Sequence, residues 1–296
     1  MASNFVQLID DLGYAKTFYP SSRITRFINS IASKIYIKIY QNRKEESNRL
    51  VKFWKEEVPL AIAKHYRILL FTTFIFLLFY ILGFFSASYD PELASGILGA
   101  DYIQMTEKNI ADGNPFGVYQ TGNAFLTWLG IMINNVVVVL IAFVKGIVLG
   151  IFSLNALIEN AMMVGVFHQM FAAKGLGFEF ILAVMLHGTL ELTAIVVGCA
   201  AGVIMGTSYI FPGTSSRLEA FKSGTKDAVK IIVGLVPIFG IAAFFEGFIT
   251  GFYKMPLALN LFLLSLSALF VIWYFIIHPF RLSKKLKANT AALVHA

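Results

Sequence analysis

The chain has 296 residues, of which 57% are hydrophobic and only 14% charged, and its net charge is +7. A soluble domain carries roughly 25% charged residues, so this composition excludes an ordinary aqueous fold and makes lipid the solvent. The single cysteine, Cys199, excludes an intramolecular disulfide and a cysteine-based zinc cluster, and the basic excess must be read by position before it is taken as a nucleic-acid footprint.

The first residues, M-A-S-N-F-V-Q-L-I-D-D-L, hold two acids and no basic n-region. They do not read as a signal peptide, so the first apolar span is expected to direct insertion itself. Over 4–17 the apolar positions Phe5, Leu8, Ile9 and Leu12 recur at helical spacing, and Tyr19-Pro20-Ser21-Ser22 ends that helix and offers a cap to the next. From 22 to 40, Ile24, Phe27, Ile28, Ile31, Ile35 and Ile39 form a stripe with Arg23, Arg26, Lys34 and Lys38 mostly off it. That is a basic amphipathic helix. After a polar link at 41–49, Leu50, Val51, Phe53, Trp54 and Val58 alternate with lysines and glutamates, and Pro59 predicts a bend. A Trp flanked by Lys suits an interfacial anchor. Residues 1–67 therefore read as a small amphipathic helical subdomain on the cytoplasmic side, its helices packing on one another, with direct binding to the lipid surface as the alternative.

Six apolar spans follow, at 68–87, 125–145, 156–173, 178–206, 229–252 and 257–280. The first alone has 20 residues without a charge, enough for a hydrocarbon core of roughly 30 Å. Between the first two spans, residues 88–124 form a polar, turn-rich loop with five acids against one lysine, and residues 146–155 continue the second span as Gly-rich apolar chain. Orientation follows from Lys and Arg placement. The first 67 residues hold 12 of the 24, whereas the 207–227 loop and the tail at 281–296 hold seven more. Six spans put every basic segment inside and the acidic loop outside. The +7 charge then lies beside anionic lipid and needs no nucleic acid. The expectation is a multi-pass protein of a bacterial cytoplasmic membrane with both termini cytoplasmic.

The fourth span carries the most information. His187 and Glu191, four apart, share one helical face, and Ala194, Gly198, Gly202 and Gly206 continue it as a small-residue seam. Such a seam lets another helix of the same chain, or of a second copy in a homo-oligomer, approach closely. Further polar residues fall within spans: Asn134 and Asn135, Glu159 and Asn160, His168, and Glu246. A charge at the bilayer centre costs about 2.5–3.5 kcal/mol on insertion scales, so each should face the bundle, pair or be neutral. The leading reading of this node is structural, a satisfied interhelical hydrogen-bond site. The alternatives are a proton or ion path, and a metal edge of His187 and Glu191 completed by His168 and another Glu. Neither H-E-x-x-H, G-x-S-x-G nor Walker A occurs, so no catalytic residue, metal or cofactor is assigned. Convergence of the buried ionisable groups on a cavity would favour transport, and isolated bonded pairs a scaffold.

After the seam comes F-P-G-T-S-S-R at 211–217. Pro212 and Gly213 stop a helix, Thr214 or Ser215 can cap the next, and Arg217 opens an amphipathic segment expected to lie in the membrane plane before span five, or to present a docking surface.

D-L-G-Y-A-K-T-F-Y-P at 11–20, F-I-N-S-I-A-S-K-I-Y at 27–36, I-N-N at 133–135, H-G-T-L-E-L-T-A-I at 187–195, F-P-G-T-S-S-R and E-G-F-I-T at 246–250 together resemble the stage II sporulation protein M family. The H-G-x-x-E segment is the most specific part. The extended N-terminal region resembles the branch encoded beside MoxR-type AAA ATPases and von Willebrand factor A proteins, in which a further charged helix precedes the point where this chain starts. The resemblance implies a membrane scaffold that acts with cell-wall hydrolases, with no catalytic residues to carry over. Residues and resemblance together lead to an all-α polytopic transmembrane bundle that is a non-enzymatic scaffold linking cytosolic machinery to an envelope process. The alternative is a transporter or channel for a proton, ion or small amphiphile using the His/Glu site.

Overall fold

The computed structural model describes residues 2–41, 48–116, 123–249 and 255–294, and every regular element among them is helical. It divides into two compact units, Met1–Lys52 and Phe53–Ala296.

The first unit holds α1 (Ala2–Phe18), α2 (Arg23–Gln41) and the short α3 (Arg49–Lys52). Ser22 caps α2 as expected, its Oγ accepting from Thr25 N at 3.0 Å, and the Thr25 hydroxyl donates to Tyr19 O at 2.6 Å, which closes the hairpin. Leu12, Ala15 and Ala32 are buried within it, whereas Ile24 and Phe27 of the α2 stripe are 68% and 66% exposed. The side chains of Phe5 and Ile39, and most of the polar link, lie outside the described residues.

The second unit begins with one π-helical turn, Phe53–Glu57, running into α4 (Val58–Lys64). Pro59 sits in the first turn of α4, where a missing N–H costs nothing. Residues 53–67, grouped with the N-terminal helices by their charge pattern, belong to this unit. The Trp54 indole donates to Gly234 O at 3.3 Å, Tyr274 OH donates to Trp54 O at 3.0 Å, and His278 Nε2 donates to Lys55 O at 2.8 Å. Ion pairs Lys64–Asp227 and Lys230–Glu57, at 2.6 and 2.7 Å, add to these contacts.

Six helices among the described residues are long and apolar enough to span a membrane: Tyr66–Tyr89, Ala124–Lys145, Ile151–Ala172, Gly177–Ile210, Arg217–Phe248 and Leu257–Asn289. Their α-helical parts are α5 (Tyr66–Tyr89), α8 (Ala124–Lys145), α9 (Ile151–Ala172), α10 (Gly177–Ile210), α11 (Arg217–Phe244), and α12 (Leu257–Val271) continued through a π-helical segment into α13 (His278–Val294). The chain is a polytopic membrane protein. The end of the fifth expected span, 250–252, lies outside the described residues.

Helix α10 is the hub, packed against α5, α8, α9, α11 and α12. Its apolar window is 61% buried, against 17% for the first and last spans, so those two face lipid. The glycine seam is filled from within the chain. Lys145 ends α8, and residues 146–150, expected as a continuation of the span, turn the chain into α9, with Gly150 at φ 79°. This corner sits directly on the seam. A Cβ at Gly202 would collide with the Ser153 hydroxyl, and one at Gly206 with the Gly150 backbone nitrogen. Ser153 Oγ in turn donates to Ala142 O at 2.5 Å, tying α9 to α8 at the same level. Ala194 is wholly buried, and Gly198 faces Val139 and Leu235.

Two expectations for connecting segments change. Residues 88–124 contain α6 (Pro91–Leu98) and α7 (Ala100–Ala111), the first capped by Asp90, whose carboxylate accepts from Glu92 N at 3.0 Å. Residues 117–122 are outside the described part. In the second connection, Pro212 and Gly213 (φ 64°) do end α10, but Ser216 caps α11, through a reciprocal capping box with Glu219. Helix α11 then runs unbroken from Arg217, whose guanidinium lies 5.8 Å from the Tyr209 ring centroid, so no separate in-plane helix precedes the fifth span.

Candidate functional site: an intramembrane His and Glu cluster

The i, i+4 spacing on α10 puts His187 and Glu191 on one face, and the fold brings Glu246 to the same point. Glu246 lies in the π-helical turn Phe245–Ile249 that continues α11. Ligand atoms of the three side chains all fall within 4.8 Å of one another. His187 is buried, at 4% exposure, while both carboxylates are half-buried. They line a cavity of about 710 Å3 together with Asn134, Asn135, Asn160 and Tyr102. Four spanning helices and α7 therefore contribute polar groups to one space.

Asn135 is 7% exposed, and its Nδ2 makes no well-aligned hydrogen bond but interacts with the Glu191 carboxylate beside it. Its Oδ1 accepts a long 3.5 Å bond from Asn134, which is itself exposed at the cavity rim. Asn160 donates to Ala156 O at 2.7 Å, one turn back on α9. Tyr102 of α7 lines the cavity together with Ile97 and Leu98. Burial, and secondarily the charge of Glu246, raise its phenol above the ordinary value, so it stays a neutral donor.

The two other ionisable residues expected in the node lie elsewhere. His168 stacks on Phe180 at 4.7 Å, meets Phe84 edge-on at 5.0 Å and hydrogen-bonds through Nδ1 to Tyr80 OH at 2.5 Å. It fills an aromatic box between α5, α9 and α10 and cannot complete a ligand shell with His187. Glu159 is exposed and accepts from Asn155 Nδ2 at 2.6 Å on its own helix. Tyr102 was not expected, because nothing in a loop-like stretch marks a residue that a short helix will fold over a cavity.

A second space, of about 620 Å3, is lined by mostly apolar residues, chiefly of α5 and α10, with others from α4 and from the last span, and shares Gly188 and Leu192 with the first. Gly188 and Leu192 of α10 thus line both spaces.

A family model for stage II sporulation protein M matches residues 72–251. That stretch covers more than half of the sequence and contains the whole cluster. The chain belongs to this family. Residues 1–41 match a domain of unknown function (DUF8413), in keeping with the separate N-terminal unit. Comparison with curated proteins and with solved structures gave no match. Within the family's matched region, the H-G-T-L-E segment of α10 supplies two of the three clustered groups and the E-G-F-I segment supplies the third.

Proposed function

We propose that this stage II sporulation protein M family member holds exchangeable protons or small cations at His187, Glu191 and Glu246 and passes them across a bacterial cytoplasmic membrane, without catalysing a reaction. The observation that carries this reading is the convergence of three ionisable side chains on one cavity. Two carboxylates this close in a low-dielectric interior cannot both keep their charge unaided, so the node takes up a proton or a cation. A carrier uses that property, and a packing node has no need of it. Charge placement supports the direction of access. The cavity is bordered by α6 and α7, whose segment carries five acids against one lysine, so a cation approaching from outside meets a favourable field. At the other end of α10 the glycine seam is tightly filled.

The test is flux in proteoliposomes loaded with a pH-sensitive dye. Wild type should dissipate an imposed proton or cation gradient, Glu191→Gln and Glu246→Gln should reduce flux at least tenfold, and Glu159→Gln should leave it unchanged. Equal flux in wild type and both glutamine variants would sink the proposal.

A scaffold role is a second reading, supported by one separate observation. The N-terminal unit leaves Ile24 and Phe27 exposed on a basic helix, a surface suited to a cytosolic partner or to membrane lipid. On the family resemblance, that partner is an AAA ATPase or von Willebrand factor A protein inside, with cell-wall hydrolases outside. Crosslinking in native membranes should capture such partners with the full chain and lose the cytosolic ones when residues 1–52 are deleted. Recovery of no partner from either face would count against it.

A further inference from the structure

We infer that the cluster is a binding site for one divalent first-row transition-metal ion, ligated by His187, Glu191 and Glu246. The inference rests on the cation-site reading above and names its occupant.

Geometry comes first. Ligands held 2.0–2.2 Å from an ion stand about 3–4 Å apart, and the ligand atoms here lie within 4.8 Å of one another before any ion draws them in. A small closure of side-chain rotamers is enough. Charge comes second: a divalent ion neutralises two carboxylates, which a monovalent cation does not. The donor set then narrows the ion. One imidazole with two carboxylates suits zinc, manganese, iron or cobalt, whereas all-oxygen sites suit magnesium and calcium and thiolates favour copper(I). The only thiol, Cys199, lies two turns further along α10 and is not in the group.

A second observation concerns the polar wall beside these ligands. Asn135 is more than nine-tenths buried, lines the cavity and turns one end of its amide toward Glu191 without a well-aligned hydrogen bond. Turned by an amide flip, that end offers oxygen to the ion, and unturned it orients Glu191 as an outer-shell donor. The remaining volume, with Tyr102 and Asn160 on its walls, admits water to complete the coordination. No H-E-x-x-H motif is needed, since the ligands come from two helices rather than one.

Occupation exchanges protons for metal. When both carboxylic acids are protonated, each O–H bond breaks as an O–metal bond forms, and neutral His187 donates a ring lone pair. One divalent ion enters, two protons leave and the net charge is unchanged. Acid therefore expels the ion.

The experiment is equilibrium binding of Zn2+, with Co2+ as a spectroscopic probe, to the full chain purified in detergent and stripped with a chelator. Wild type should bind one ion per chain and lose affinity in acid, where protons compete for the same ligands. His187→Ala and Glu246→Gln should each weaken binding at least tenfold while eluting monodisperse with unchanged helical circular dichroism, and Glu159→Gln and His168→Asn should bind as wild type does. Substoichiometric metal on folded wild type, or wild-type affinity in both cluster variants, overturns the inference. Proton flux persisting in protein that binds no metal overturns this inference alone, whereas metal binding without flux overturns only the carrier reading.

Discussion

Gly188 and Gly202 lie on the same helix yet meet opposite surroundings, and the difference yields a sharp test. A methyl group on Gly202 would collide with the Ser153 side chain, whose hydroxyl holds α8 and α9 together, whereas one on Gly188 would meet only Met185 Sδ at 3.7 Å and Leu192 Cδ1 at 3.9 Å, which is ordinary contact. Gly202→Ala should therefore lose about 1–3 kcal/mol, as overpacked cores do, and Gly188→Ala should melt near wild type in detergent. Similar losses in both would show that the seam is not the tight point. Tyr80 offers a second test at this scale. Tyr80→Phe removes the partner of His168 Nδ1 and should cost about 1 kcal/mol, with flux and metal binding unaffected because His168 stands apart from the cluster. The sequence could be read this far for a physical reason. Helical periodicity joins residues four apart, so His187, Glu191 and the seam were legible. Glu246 was legible only as a polar residue in a span, because its arrival at Glu191 depends on how α11 packs on α10, and no local pattern encodes that. His168 and Glu159 had the same apparent credentials, yet one went to an aromatic box and the other to the surface.

Helix α11 runs as one element where its sequence pattern suggests two. Its polar first turns and apolar remainder looked like two helices, but a polar start also serves a single helix that emerges from the bilayer and docks α4 there. Ser216 fixes the start: its side chain and that of Glu219 satisfy each other's backbone donors. Ser216→Ala should lose about 1 kcal/mol and raise amide exchange over the first turns of α11 without raising it elsewhere. Asp227 joins the two elements, accepting from Lys64 at 2.6 Å and His65 at 3.1 Å. Asp227→Asn should speed exchange across Val58–Lys64 more than across the core of α10, and equal protection in both proteins would deny the pairing a role. The short helices α6 and α7 were illegible for another reason. Asp90-Pro91, Gly99 and Asp112-Gly113 are turn signals, and they also cap and stop helices. When two such ends lie only a few turns apart, the ends dominate the reading.

At the scale of the whole molecule, composition decided the class, because a chain this apolar must bury its backbone bonds in helices if it is to live in lipid. Orientation follows from a separate property, the distribution of Lys and Arg, and it can be tested without disturbing the fold. Cys199 is the only cysteine and is wholly buried, so Cys199→Ala gives a background free of reactive thiols at little packing cost. Single cysteines can then replace Ser21 in the first unit, Ser95 on α6, Ser215 before α11 and Ala288 on α13, all of them exposed. In intact cells a membrane-impermeant maleimide should label only the Ser95 position, with the other three reacting after permeabilisation. That outcome puts both termini inside and the α6–α7 end of the cavity outside, where the acidic segment would draw cations toward Glu246. Labelling of the Ser95 and Ser215 positions from the same side would break the six-span path. Labelling of the three basic-side positions alone would invert it, and a carrier inverted in this way would load its cation from the cytoplasm.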